Sequence, residues 1–474
     1  ISLLNLADYV LLRLIGKHDR STAPGGASAD QSYKRELHDA MSRFLPHHGL
    51  PLLSDDGRVR WTARLLAIVA VLTTWSSGST LLDRFALART AAIAMYPTRK
   101  RPGDSVEGFF KALCNSGDAV LKTLCEHWRT CVRKVAGQHR LTDGWLAIGV
   151  DGSKINCPRT LANEKRLGVS GKNNGGPQLL VTCLFHAATG MLWGWTRDGI
   201  CGAGERTQLR RLLPLLPPEA MLLADAGFCG YDLLKALAGR GNHFLIRVGS
   251  NVTLIKKLGF ATREGKQTVY LWPLTMQGRQ KRFMPRKLSN VSPPLVLRLI
   301  ELTDEAGKKI FLLTNVLQKS RLSDSTAARL YRLRWGVEVM WRDLKQTLGH
   351  HQVLSRTPER AEAELDWAMA GLWLLQLLGG SRMKQARLSP QSHSPAQTLR
   401  AVRSCLTGGR SRRQSLHMRL GMARKDTYRR RGSKEARHRP RKRTHRPPGR
   451  PKARTALAIE KRIVHRLFAQ PPPK

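Results

Sequence analysis

Three acidic residues stand at places where an acid could do chemistry. Asp151 follows the apolar run LAIGV, Asp225 follows MLLA, and a glycine comes within two residues of each (Gly152, Gly227). A carboxylate just past an apolar strand sits on the rim of a sheet, where the backbone turns. Taken singly, either aspartate is equally an ordinary turn or cap residue. Glu338 lies inside YRLRWGVEVMWRDLKQTLG, where Tyr331, Arg334, Glu338 and Lys345 follow one another at offsets of three, four and seven residues. On an α-helix advancing about 100° per residue, these four fall within roughly 60° of arc. An ion pair between Arg334 and Glu338 on a solvated face would account for two of them. It leaves Tyr331 and Lys345 unexplained.

Phosphodiester chemistry has a use for the whole set. Two divalent metal ions held by a few carboxylates can activate an attacking water or 3′-hydroxyl and stabilise the leaving oxygen. Arg, Lys and Tyr beside them can hold the flanking phosphates of the same strand. One acid among several bases suits such a site, because more acids would repel the polyanion and fewer could not hold the metals.

The elements that must position these residues are legible as changes of period. Residues 1 to about 140 read as a helical domain, with apolar residues three and four apart in YKRELHDAMSRFL and VEGFFKALCNSGDAVLKTLCEHWRTCVRKVAG. TAPGGASADQ and PTRKRPGDS read as connectors. From Trp145 the pattern turns to short apolar runs bounded by Gly, Pro, Asn or Asp: WLAIGVD, PQLLVTCLFHA, GMLWGWTRD, AMLLAD and NHFLIRVG. ERTQLRRLLPLL and YDLLKALAGRG, both helical in period, separate the last three of these. The expected core is therefore a three-strand meander followed by strand–helix alternation, a mixed α/β sheet with helical cover. Between about 250 and 318 further strand-like runs interrupt it (QTVYLWPLTM, PPLVLRLIEL, KKIFLLTNVL), with DEAG as a hairpin turn. Helical period resumes after the capping types of SDST and continues to about residue 407.

Charge identifies the partner class. Eighty-one Lys and Arg stand against 34 Asp and Glu, a formal net charge of +47. Leaving out the basic stretch 424–454 still leaves 66 against 32, so basicity runs through the folded part as well. An excess of this kind suits a polyanion, since each neutralised phosphate releases condensed counterions. The eight cysteines form no C-x-x-C pair and no zinc spacing, which reads as reduced thiols in a cytosolic protein. Leu65–Trp75 and Trp367–Leu378 are apolar but only about a dozen residues long, short of the roughly 20 that cross a bilayer, and are expected as buried helices. No secretory signal is visible, and the chain opens on Ile1 rather than Met, so nothing about targeting follows from its start.

Asp151 in VDGS, Asp225 in LLADAGF and Glu338 in the array Y-x2-R-x3-E-x6-K resemble the bacterial insertion-sequence transposases of the DDE class. More narrowly they resemble the IS-four group, whose motif is that Tyr-Arg-Glu-Lys array, and every position of it matches. The likeness covers about residues 145 to 380. It implies a ribonuclease-H-like catalytic core over residues 141–380, with a β-rich insertion at about 250–318, preceded by the helical domain and followed by a helical extension and basic tail, 381–474. It implies Mg2+ (Mn2+ substituting), two ions, held by Asp151, Asp225 and Glu338. Tyr331, Arg334 and Lys345 would then touch DNA. The implied reaction is cleavage at transposon ends and strand transfer into target DNA, by a homodimer on double-stranded DNA in the bacterial cytoplasm at the nucleoid. Excision through a hairpin, with a flipped base stacked on an aromatic residue, makes Trp272 and Trp335 candidates, although a buried core tryptophan is the commoner case.

The helical domain and the tail match no family motif. RPPGRPK in the tail, centred on Gly449-Arg450-Pro451, resembles an AT-hook, which would place Arg450 in a narrow A/T minor groove. The rest of the tail is expected to be disordered and to bind DNA without sequence preference. Two other readings stand beside the transposase: a catalytically silent or domesticated DNA-binding descendant, and a related ribonuclease-H-like nuclease.

Overall fold

A computed structural model describes residues 29–46, 48–53, 60–95, 101–169, 175–249, 260–273, 293–303, 307, 309–407, 414–425 and 449–469. Four helices open it: α1 (Ala29–Ser42), α2 (Ala63–Trp75), α3 (Leu81–Met95) and α4 (Val106–Ala136). The run ARLLAIVAVLTTW is apolar all round, and a helix of that kind is stable only when surrounded. Thr62 caps α2, accepting from the Leu65 N–H at 3.2 Å. Every residue of the helix except Arg64 is buried. Its cover includes α10 (Pro358–Gln385), which holds the second apolar run. Trp75 Nε1 donates to the Gly371 carbonyl at 3.0 Å, and a Cβ on Gly371 would stand 2.7 Å from the Thr74 methyl group. Both apolar runs are thus buried helices, and no helix among the described residues is long and apolar enough to cross a membrane. All eight cysteines are free thiols.

The centre is one mixed sheet. Its strands are β1 (Ala147–Asn156), β2 (Gln178–His186), β3 (Met191–Gly199), β4 (Met221–Ala224), β5 (His243–Val248), β6 (Phe260–Glu264), β7 (Thr268–Trp272), β8 (Leu295–Thr303), β9 (Lys309–Thr314) and β10 (Arg454–Thr455). They lie in the order β10-β6-β7-β8-β9-β5-β4-β1-β2-β3. β1, β2 and β3 form the antiparallel meander, and β4 and β5 extend it in parallel from the other edge of β1. Between these strands run α5 (Leu161–Leu167), α6 (Glu205–Leu212) and α7 (Tyr231–Gly239). The 250–318 segment supplies β6 to β9, which continue the same sheet, because β9 pairs antiparallel with β5. The expected DEAG turn falls mostly on residues outside those described.

Three expectations need correction. Asp151 is not at a strand end: β1 runs on to Asn156, because GSKIN pairs with Gln178–Thr182 of β2. The Tyr331–Lys345 stretch is not one regular helix but α8 (Asp324–Leu333), α9 (Gly336–Arg342) and a π-helical turn, Asp343–Thr347. The chain end is not uniformly without structure. Arg454 and Thr455 add a parallel strand to β6, and α13 (Ala458–Ala469) packs Ile463 and Val464 on Tyr270 and Trp272. Ala456, Ile459, Ile463 and Leu467 recur three and four apart, an amphipathic period that the surrounding arginines and prolines conceal. Residues 426–448, which hold most of the basic run, lie outside those described. Two short helices, α11 (Pro395–Leu406) and α12 (Leu416–Met422), pack beside α10.

Candidate active site

The parallel register sets two of the carboxylates side by side. Ala147, Ile148 and Gly149 stand opposite Met221, Leu222 and Leu223. Two positions further along each chain come Asp151 and Asp225, on tracks about 4.8 Å apart. Asp225 has just left β4 and caps a single 3₁₀ turn, its Oδ1 accepting from the Gly227 N–H at 2.8 Å.

The third comes from above the sheet. Side chains alternate along a strand, so Asp151 shares its face of β1 with Gly149, and the residues opposite are Cys183 and Phe185. α9 covers that face. Cys183 Sγ lies 3.9 Å from Met340 Sδ, and the Phe185 ring stands 3.3 Å from where a Cβ on Gly336 would be. Gly149 is required beneath the same ring, since any Cβ there would overlap it. Resting on this floor, α9 carries Glu338 to the two aspartates.

Electrostatically the groups share one field. Burial pushes the Asp151 carboxyl up to about 6, against a hydrogen bond from the Gly152 N–H; Asp225 and Glu338 add to the rise and Arg334 opposes it. Burial lowers the Lys345 ammonium, and Asp151 pulls it back. The Tyr331 hydroxyl is raised by burial, with Arg334 and Arg247 working against that.

Arg334 is the hinge of the arrangement. It is 7% exposed, its Nη2 lies 3.4 Å from Glu338 Oε1, and its guanidinium stands 5.8 Å from the Tyr331 ring and 5.1 Å from that of Trp335. Its Nε is buried with no acceptor among the described residues. A buried donor left unpaired costs about 1–3 kcal/mol, which an incoming phosphate oxygen would recover. The backbone tightens here: Arg334, Trp335, Val337 and Glu338 each donate to the carbonyl three residues back, at 3.1 to 3.2 Å. The π turn after α9, a device common at functional sites, carries Lys345.

Asp151, Asp225, Glu338, Tyr331, Arg334 and Lys345 therefore come together. Arg450 does not join them: its Nη2 lies 3.8 Å from Glu301 Oε2, on β8. Two residues not singled out from the sequence stand at the site. Arg247 on β5 lies within electrostatic reach of the Tyr331 hydroxyl. Glu205 opens α6, its carboxylate packed on Gly152; burial raises it, Asp151 and Asp225 raise it further, and Lys154 opposes. Neither carries a motif, and only the three-dimensional neighbourhood picks them out.

A family model described as "Transposase DDE domain" matches residues 147–374, from the start of β1 to the middle of α10. Residues 147–374, just under half of the chain, are thus similar to the DDE domain of transposases. The transposase InsG of insertion sequence element IS4 from Escherichia coli (strain K12) is 27% identical over 231 residues. The match takes in 47% of this chain and 49% of the relative, so the chain spans about half the length of the curated protein it matches. Among solved structures, a piggyBac transposase synaptic complex with hairpin DNA aligns with 88% of this chain and 81% of its own. With a TM-score of 0.37 and 13% identity, the two chains superpose only loosely.

DDE transposases generally use divalent metal ions. The candidate ligands Asp151, Asp225 and Glu338 suit a hard cation in kind, being carboxylates. They are not drawn in around one: among the described residues, no three His, Cys, Asp or Glu side chains are close enough to hold an ion together. Glu338 instead leans towards Arg334. The donor set fits a cation in chemical type and not in spacing.

Proposed function

We propose that the chain is a DNA transposase that cuts at the ends of its element and joins them to target DNA. The observation that carries this reading is the convergence of Asp151, Asp225 and Glu338 from β1, β4 and α9, with the buried Arg334 and its unpaired Nε beside them. The strand order β3-β2-β1-β4-β5, antiparallel then parallel, supports a ribonuclease-H-like core, and β6 to β9 supply the β-rich insertion.

Asp151 and Asp225, with Glu338, would hold Mg2+, Mn2+ serving as substitute, in a two-ion site. Bound there, the ions would supply activation of the attacking oxygen and charge stabilisation at the leaving one. Arg334 and Tyr331 hold a phosphate flanking the scissile bond, and Lys345 lies near enough to Asp151 to hold another. The partner is double-stranded DNA, transposon end and target, held by a homodimer so that two ends meet, at the nucleoid of a bacterial cytoplasm. Arg450 belongs to the non-catalytic grip on DNA and would have to leave Glu301 to make it.

Purified chain with Mg2+ is expected to nick DNA carrying the inverted repeats that flank its gene, at the repeat boundary, and to leave unrelated duplex intact. Equal cleavage of both substrates would overturn this reading in favour of a general nuclease.

The two tryptophans separate. Trp335 is 53% exposed beside the site, whereas Trp272 is 2% exposed beneath α13. Only Trp335 is placed to stack on an unpaired base, a contact worth about 1–3 kcal/mol. Trp335→Ala is expected to weaken binding of end DNA about tenfold or more while leaving the melting temperature unchanged. Trp272→Ala is expected to cost about 3–5 kcal/mol of stability, as other buried Trp truncations do. Binding titrations and chemical denaturation of both variants check the pair.

A further inference from the structure

The register that aligns the two aspartates continues one strand further. Gly149 of β1 stands opposite Leu223 of β4, and Leu223 stands opposite Leu245 of β5. Two positions on along these three chains come Asp151, Asp225 and Arg247, a row on adjacent tracks about 4.8 Å apart. Residues two apart on a strand share a face. Asp225 keeps an extended backbone just past β4 (φ −86°, ψ −178°), so the alternation carries through to it. The row therefore presents all three side chains on the face of the sheet that α9 covers. The electrostatic reach of Arg247 to the Tyr331 hydroxyl, on α8, agrees with that placement.

An arginine in the row beside an aspartate would ordinarily be its counter-ion. This one is not. Arg247 is half-buried yet forms no hydrogen bond or ion pair with any described residue, and Asp225 Oδ1 accepts from the Gly227 N–H instead. On its other flank the residue opposite in β9 is Leu312, which is fully buried and offers no acid. A guanidinium presents five donors in a rigid fork that matches phosphate oxygens, and partial burial without an acceptor is unfavourable. Tyr331 is in the same condition: its hydroxyl is buried with no acceptor for its proton among the described residues. The acid that acts on Lys345 is Asp151, whereas the row neighbour of Arg247 is Asp225. The two cations thus attend different carboxylates.

We propose that Arg247 binds the DNA strand being cut, holding with Tyr331 a phosphate on the β5 side of the scissile bond. The strand then runs from Lys345 across the two aspartates towards the β-rich insertion. This rests on the active-site reading above, and the test keeps the two apart. Binding of the full chain to a duplex carrying the inverted repeat that flanks its gene is measured in EDTA over a range of salt. Wild type, Arg247→Gln and Arg247→Lys are compared, with melting as the folding control. Arg247→Gln is expected to weaken binding about tenfold and to make the slope of log affinity against log salt shallower by about 0.9, as one lost phosphate contact does. Arg247→Lys keeps the charge and should keep the slope. A single methylphosphonate beside the cut, which removes one phosphate charge, should weaken wild type and leave Arg247→Gln unaffected. A merely structural role would change neither the slope nor this coupling. Wild-type slope and affinity in Arg247→Gln, or a loss coupled only to phosphates remote from the cut, overturns the proposal. Cleavage by Asp151→Asn with Mg2+ separates the two readings. An inactive Asp151→Asn beside wild-type binding in Arg247→Gln overturns this proposal and leaves the active site standing. Cleavage by Asp151→Asn at the wild-type rate removes the active-site reading and this proposal with it. Should Arg247→Gln fail to fold, Arg247→Met, which keeps an unbranched stem, takes its place under the same criteria.

Discussion

Asp151→Asn and Glu338→Gln are each expected to lower end cleavage by about a thousandfold, the scale on which a single preorganised charge at a reacting centre acts. Neither should unfold the protein. Asp151 sits where burial holds its carboxyl at about 6, well above its ordinary value, with Asp225 and Glu338 adding to the rise. The sign follows from linkage: an acid whose pKa is raised on folding favours the folded state below its unfolded pKa. That contribution is lost as the pH climbs from about 4 through about 6. Above that window the ionised Asp151 is a cost to the metal-free fold, and asparagine removes it. Melting at about pH 7.5 in EDTA should therefore find Asp151→Asn at least as stable as wild type. Glu338 is half exposed and its contact with Arg334 is 3.4 Å long, so the pair contributes under about 1 kcal/mol and glutamine forfeits little of it. Cleavage that persists unchanged in either variant would remove that residue from the active centre.

A large loss of stability is expected at an acid with no part in the proposed chemistry. Asp366 on α10 accepts from Trp195 Nε1 at 2.8 Å, from Arg197 Nε at 2.8 Å and from Arg197 Nη2 at 2.7 Å. Its side chain is 10% exposed and that of Arg197 is 19% exposed. These bonds fasten β3, the outer strand of the meander, to the central helix. Asp366→Ala leaves a mostly buried guanidinium with only Glu362, at 2.9 Å, and an indole N–H without an acceptor. Breaking one side of a buried pair typically costs about 3–5 kcal/mol. Asp366→Asn, which keeps an acceptor for Trp195, is expected to cost less. Urea denaturation of the two variants against wild type checks both the size and the order. Equal stability of all three would mean that β3 is held by packing alone.

Much of this fold is legible in the order of its residues. Every strand of the meander and both parallel strands after it coincide with an apolar run bounded by turn residues, because a strand buried on one or both faces has to be apolar on those faces. The two all-apolar helices are legible for the same reason. What escapes are elements whose residues are not apolar. The second half of β1 is GSKIN, which becomes strand only by pairing with β2. α13 hides its apolar stripe among arginines, and its burial depends on the exposed face that β7 and β8 offer it.

The site divides along the same line. Sequence alone determined which side chains could perform the chemistry, since residue type is covalent and the offsets from Tyr331 to Lys345 are counted along the chain. Tertiary structure decided where they meet. The β1–β4 register aligns Asp151 with Asp225, residues more than 70 apart in the chain. The Gly149–Phe185 floor sets the height of Glu338, and the tightened turn at Arg334 with the π turn at Lys345 replaces the single helical face that an ideal helix predicts. Glu205 lay wholly beyond the reach of sequence. A glutamate at a helix start is commonplace, and only the packing of α6 brings its carboxylate against Gly152 and near Gly227, the glycines that follow the two aspartates.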